Sequence, residues 1–158
     1  MRVKLIVRLI DQAYDHKAWH GPTLRGSLRG VRAETAAWRP GMDRHNIWEL
    51  AVHAAYWKYT VIRRITGSPK GSFPLAGSNW FERPEELSEA AWKRDLGLLE
   101  DTHQELRSAV LTVSDDRLDQ IPAGSKTVLA DLLLGIASHD LYHAGQIQLI
   151  KRLQRATE

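Results

Sequence analysis

Apolar positions along the chain recur three and four residues apart, in stretches broken by Gly and Pro, and nowhere alternate as a half-buried strand would. From about Val3 to Trp19 the stripe Leu5, Leu9, Ala13, with His16 at its end, predicts the inward side of a first helix. Gly21 and Pro22 interrupt it, and because proline is tolerated at a first helical position, a short extra helix or a kink to about Arg29 is expected. The stretch from Thr35 to Met42 ends in Arg39, Pro40 and Gly41 and reads as a loop. Asn46 followed three residues later by Glu49 has the form of a capping box. A second long helix should run from Asn46 to Thr66, closed by Gly67 and Pro69, with Leu50, His53, Ala54, Trp57, Val61 and Ile65 inward.

Residues 68–83 form a long loop between the second and third helices, with Pro69, Gly71, Pro74 and Gly77 set around Phe73, Trp80 and Phe81. Loops of this length are usually functional covers or disordered. The aromatics imply that this one packs on something, either shielding the core or forming a pocket rim. A third helix should start near Pro84 or Ser88 and reach Val113 on the stripe Trp92, Leu96, Leu99, His103, Leu106, Val110. After a turn over 114–125, the last helix starts near Thr127 and carries Leu132, Ile136, Ile147, Ile150 and Leu153 on one stripe. Four main amphipathic helices predict an all-α fold, closed most simply as a four-helix bundle, in a single domain over 1–158.

Composition narrows the chemistry. The 158 residues contain no cysteine, so disulfides and thiolate metal sites are excluded and any metal must be held by His and carboxylates. The net charge of +3 comes from scattered Lys and Arg; Lys151, Arg152 and Arg155 suit the negative end of a helix dipole, and no nucleic-acid footprint is expected. The opening MRVKLIVRLI is too short and too charged for a signal peptide or a membrane span, so a soluble, cytoplasmic protein is the default expectation.

His139 and His143 occupy two positions of the last apolar stripe, one helical turn apart on the same face. Burying two unpartnered imidazoles is costly, and a shared divalent cation is one way to recover that cost. His53, inward on the second helix, offers a third ligand. Three imidazoles from two helices would leave a coordination position free, the arrangement of a catalytic site. Three buried neutral histidines without an ion are the structural alternative.

Neighbouring polar residues have two readings each. Glu49 is a helix cap, or orients His53 or acts as a base. Gln146 faces the open position or packs as a polar group. Asp140, turned about 100° from His139, is a surface or supporting carboxylate rather than a ligand. Trp57 is a core residue or a pocket wall. His103 is a core residue bonded to a neighbour, and His16, His20 and His45 are surface or capping residues.

The segments HNIWELAVHAAYWKY and GIASHDLYHAGQIQLIKRL, with GSFPLAGSNWFERP and AWKRDLGLLEDTHQEL between them, resemble the DinB/YfiT-like proteins along essentially the whole chain. That resemblance implies a four-helix bundle and a divalent-metal site made by His53, His139 and His143. Zinc or nickel would be the usual ion, with iron or manganese as variants, and a homodimer is expected. It also implies a metal-dependent hydrolase or a transferase acting on a small molecule such as a low-molecular-weight thiol. The competing expectation is a stress-response or binding protein whose metal is structural or regulatory.

Overall fold

The computed structural model describes residues 1–157 and resolves the predicted stripes into α1 (Arg2–Tyr14), α2 (Leu24–Leu28), α3 (Ala33–Ala37), α4 (Ile47–Thr66), α5 (Glu89–Leu111) and α6 (Leu129–Arg155), with a 3-10 turn at Asp115–Asp119. No strand occurs among the described residues, so the fold is all-α. Three of the long helices begin where a side chain takes up their free N–H groups. Asn46 Oδ1 accepts from the Glu49 amide at 2.8 Å and the Glu49 carboxylate accepts from the Asn46 amide at 3.4 Å, completing the expected capping box. Gly67 then ends α4 in the left-handed conformation, φ 74°, as its position after Thr66 implied. Ser88 Oγ accepts from the Ala91 amide at the start of α5. The start of α1 is capped from a distance, by the Asp115 carboxylate accepting from the Arg2 and Val3 amides at 3.0 and 2.9 Å.

The four long helices neighbour one another in a ring: α4 lies against α5 and α6, and α1 lies against those same two. Between them are two apolar clusters. One gathers around Trp48, Trp92, Leu99 and Ile147. The other gathers around Ile10, Ile62, Leu106 and Leu133. Along α4 the first cluster runs through Ala55 and the second begins at Val61; along α5 the change falls between Leu99 and Leu106, and along α6 between Ala137 and Ile147. Lys58, His103 and Asp140 are buried in those three intervals.

Several local expectations need correction. The first helix ends at Tyr14, not Trp19, because the Asp15 and His16 amides both turn back to the Asp11 carbonyl, and Trp19 is fully exposed. Its inward side is Val3, Ile6, Val7, Ile10, Ala13 and Tyr14, while Leu5 is 68% exposed. Both stripes pass through Ala13, and the denser one, with pairs at three- and four-residue spacing, is buried. Trp57 and Leu153 lie at the surface rather than inside, and α3 stands where a loop was expected.

Candidate metal centre

α4 and α6 bring three imidazoles to one point. His53 Nε2 lies 3.1 Å from His139 Nε2, and His143 Nε2 lies 3.0 Å from the same atom. His53, His139 and His143 are the group of potential ligands found among the described residues. A cation about 2.0–2.1 Å from three imidazole nitrogens holds those nitrogens roughly 2.8–3.4 Å apart, between the octahedral and the tetrahedral angle. Both observed separations fall in that interval.

The rear nitrogens decide which atoms face inward. His53 Nδ1 donates to the Asn79 carbonyl at 2.7 Å, and His143 Nδ1 donates to Gln146 Oε1 at 2.6 Å. With protons held there, both Nε2 atoms present lone pairs to His139 Nε2. A neutral His139 has at most one proton to offer, so it cannot satisfy both, and its own Nδ1 is buried without a partner. A cation resolves the convergence; the outward bonds to carbonyl oxygens are those that orient metal-ligating histidines. Burial pushes all three imidazoles below their ordinary value: His139 to about 3, with the charges of His143, His53 and Lys58 adding, and His143 to about 4 despite the Gln146 bond. His53 is lowered by burial as well, with the Asn79 bond opposing. Neutral imidazole is the form that binds metal.

The loop at 68–83 forms the rim of this site. Asn79, a non-glycine residue with φ 66°, orients His53 through its carbonyl and accepts from Trp57 Nε1 through its side chain at 2.9 Å. Trp80 lies flat on His53, ring centroids 3.8 Å apart, and His45 lies flat on its other face at 3.5 Å. His45, exposed at the start of α4 as expected, is therefore also part of the site's wall. Trp57 presents its edge to His53 and His139 from the partly exposed side. Beside His143 and Gln146 opens a cleft of about 650 Å³, whose walls include Trp80, Leu50, Ile150 and Arg44.

Glu49 has its carboxylate engaged elsewhere. It is paired with Arg39, accepts from His45 Nδ1 at 2.9 Å and takes the Arg83 amide at 3.3 Å, besides closing the capping box. Burial alone would raise its carboxyl; Arg39, His45 and the Arg83 amide outweigh that and hold it below the ordinary carboxylate range. Gln146 is engaged with His143 and, through Nε2, with the Tyr142 hydroxyl at 3.3 Å. His103 is a core residue stacked on Tyr14 at 3.5 Å, far from sharing a ligand position, and His16 and His20 are exposed. Asp140 was expected at the surface or beside the ligands; it is fully buried and paired with the equally buried Lys58.

Asn79, Lys58 and the pairing of Arg39 with Glu49 have no counterpart in the pattern of the sequence, whereas Trp80 lies where the pocket-rim alternative for the loop aromatics put it. A signal existed for Lys58, which follows Ala51, Ala54 and Ala55 by seven, four and three residues and so interrupts a buried stripe with a charge that needs a partner. Asp140 interrupts the stripe of Leu133, Ile136 and Ile147 in the same way. Nothing comparable marked Asn79, whose role depends on how an irregular loop folds back, and the aromatic character of Trp80 did not say which residues it would stack on.

No curated protein and no solved structure matches the chain. The family model described as DinB superfamily matches residues 18–147, a span that takes in all three histidines and the loop that walls them. With an all-α fold and that match over most of its length, the chain belongs to the DinB superfamily.

Proposed function

We propose that His53, His139 and His143 hold a divalent cation through their Nε2 atoms, zinc or nickel in preference to iron or manganese, and that the protein is an enzyme acting on a small molecule admitted through the cleft beside His143. The observation that carries this reading is the approach of His53 Nε2 and His143 Nε2 to His139 Nε2 at 3.1 and 3.0 Å, all three ligand atoms lying within 4.8 Å of one another, with two of the rear nitrogens tied to carbonyl oxygens. A borderline cation accepts such nitrogens readily, whereas magnesium and calcium favour oxygen. Bound there, the cation would supply Lewis acidity toward the oxygen or sulfur of a small molecule, the chemistry of a hydrolase or of a thiol transferase.

The residues of the chain divide the remaining tasks. Asn79 and Gln146 hold His53 and His143 in the ligating tautomer. Trp80 and Trp57 limit water at the edge of the site, and Arg44 in the cleft wall gives an anionic group a place to bind. Glu49, saturated by Arg39 and His45, serves the architecture of the wall and takes no proton in this reading. Gln146 orients and does not titrate.

Protein purified without a histidine tag should contain close to one equivalent of zinc or nickel. Replacing His53, His139 or His143 with Ala should each reduce affinity by more than the ~10–100-fold typical of losing an outer-shell partner. His103→Ala should leave it within a few-fold. Equal loss at His103, or wild-type protein that takes up neither ion, would overturn the assignment. A screen of metal-loaded protein against ester, amide and low-molecular-weight thiol substrates tests the enzymatic part. Turnover abolished by His143→Ala supports it, and a bound ion with no turnover across the screen favours the structural or regulatory role.

A further inference from the structure

We propose that Lys58 and Asp140 are positioning residues of the metal centre: a buried strut that sets the register of α6 against α4 and so holds His139 where His53 and His143 meet it. The inference rests on the metal reading above and extends it to residues that touch none of the ligating atoms.

The first observation is an asymmetry among the ligands. His53 and His143 each have a hydrogen-bond acceptor behind the ring, while His139 Nδ1 is buried with none. Its orientation must come from the placement of its helix. The next residue along α6 is Asp140, fully buried, whose carboxylate meets Lys58 Nζ from α4, five residues after His53. Adjacent helical side chains point about 100° apart, so a fixed Asp140 fixes the azimuth of His139. A slip of one residue moves a helix by about 1.5 Å, enough to take the three nitrogens outside a coordination sphere.

The second observation is where the pair lies. It falls in the layer where one apolar cluster gives way to the other, together with His103. Apolar contacts on either side are non-directional and specify register less sharply, since cores tolerate volume-conserving changes of side chain. A buried charge pair cannot slip, because separating it leaves two uncompensated charges. The Lys58 ammonium is further enclosed by the Tyr14 ring from α1, 5.2 Å from its centroid, and that hydroxyl is bonded to Glu100 of α5 at 3.0 Å. All four long helices thus meet at this level. Asp140 Oδ1 has no partner, so the pair is incompletely satisfied, as expected of a device retained for register rather than for stability.

The test replaces the strut with apolar groups of similar volume, Lys58→Met with Asp140→Leu. Such replacements often leave stability unchanged or raise it, so a role confined to stability predicts native metal binding in a folded variant. The positioning role predicts about 10–100-fold weaker zinc affinity by chelator competition and an altered visible absorption spectrum of the cobalt(II) form, with helical content and melting temperature retained. Lys58→Gln with Asp140→Asn, which keeps a neutral hydrogen bond across the helices, should restore affinity to within a few-fold. If the apolar pair does not fold, Lys58→Met with Asp140→Asn is read in its place, with the same expected loss. A folded variant lacking the bond, with wild-type zinc affinity and cobalt spectrum, overturns the inference and leaves the metal reading standing. Wild-type protein that binds neither ion overturns the metal reading itself.

Discussion

At the scale of single residues, the site is defined by where the protons on its imidazoles are held. Gln146 Oε1 receives the His143 Nδ1 proton at 2.6 Å and so keeps Nε2 free for an ion. Gln146→Leu retains most of the volume and removes the acceptor; zinc affinity should fall about 10–100-fold with the melting temperature little changed. Competition with a chelating dye measures this, and unaltered affinity would show that the bond is incidental. Acidity probes the same rings in the metal-free protein. His103 and His139 have values near 3 and His143 near 4 in the folded state, chiefly from burial, against about 6.5 when unfolded. Between those values the unfolded chain binds protons that the folded chain refuses. The contribution of these rings to stability is therefore complete above about pH 6.5 and is lost as pH falls toward 3. The melting temperature of chelator-treated protein should be level from pH 8 to 7 and decline steadily from 6.5 to 4. A flat profile across that range would contradict the burial that underlies it.

At the scale of elements, α4 is the helix whose ends were written most plainly. Asn46 caps it with a side chain that also donates to the Arg83 carbonyl at 2.7 Å, tying the end of the 68–83 loop to the start of the ligand-bearing helix. Asn46→Ala removes a cap and strands a buried carbonyl, and should cost about 2 kcal/mol in urea denaturation. Ser88→Ala, a cap without the second bond, should cost about 1 kcal/mol. Equal effects would mean that the loop is not anchored there. The start and stop of α4 were readable because capping box and C-terminal glycine are local devices. The inward placement of His53, His139 and His143 was readable because helical phase is also local. α1 was mis-phased because two stripes share Ala13, and which one is buried depends on α5 and α6. That the loop rims a pocket was one of two readings its aromatics allowed, but its contacts were unreadable for the same reason: Asn79 needs a left-handed backbone and Trp80 needs two histidines, 45 and 53, to stack between. Neither need leaves a mark in the order of residues.

For the molecule as a whole, the question is whether the ion builds the fold or is received by it. The two apolar clusters contain residues from every long helix and are complete without any of the three ligands. The ion would join α4 to α6, helices that already meet along their length and are already joined by Lys58 and Asp140. This differs from a small zinc domain, whose core is too poor to fold without metal. Chelation should therefore leave helical circular dichroism and a cooperative melt in place. Adding zinc back to about 100 times its dissociation constant should stabilise the protein by about 2.7 kcal/mol through binding to the folded state alone. For a chain of this size that corresponds to a rise of roughly 5–10 °C in melting temperature. The rise should continue with the logarithm of free zinc and vanish in His53→Ala, whose metal-free melt should stay cooperative. Loss of the cooperative transition on chelation would instead make the ion a structural element, and the cleft beside His143 would then lose its standing as a place where chemistry is done.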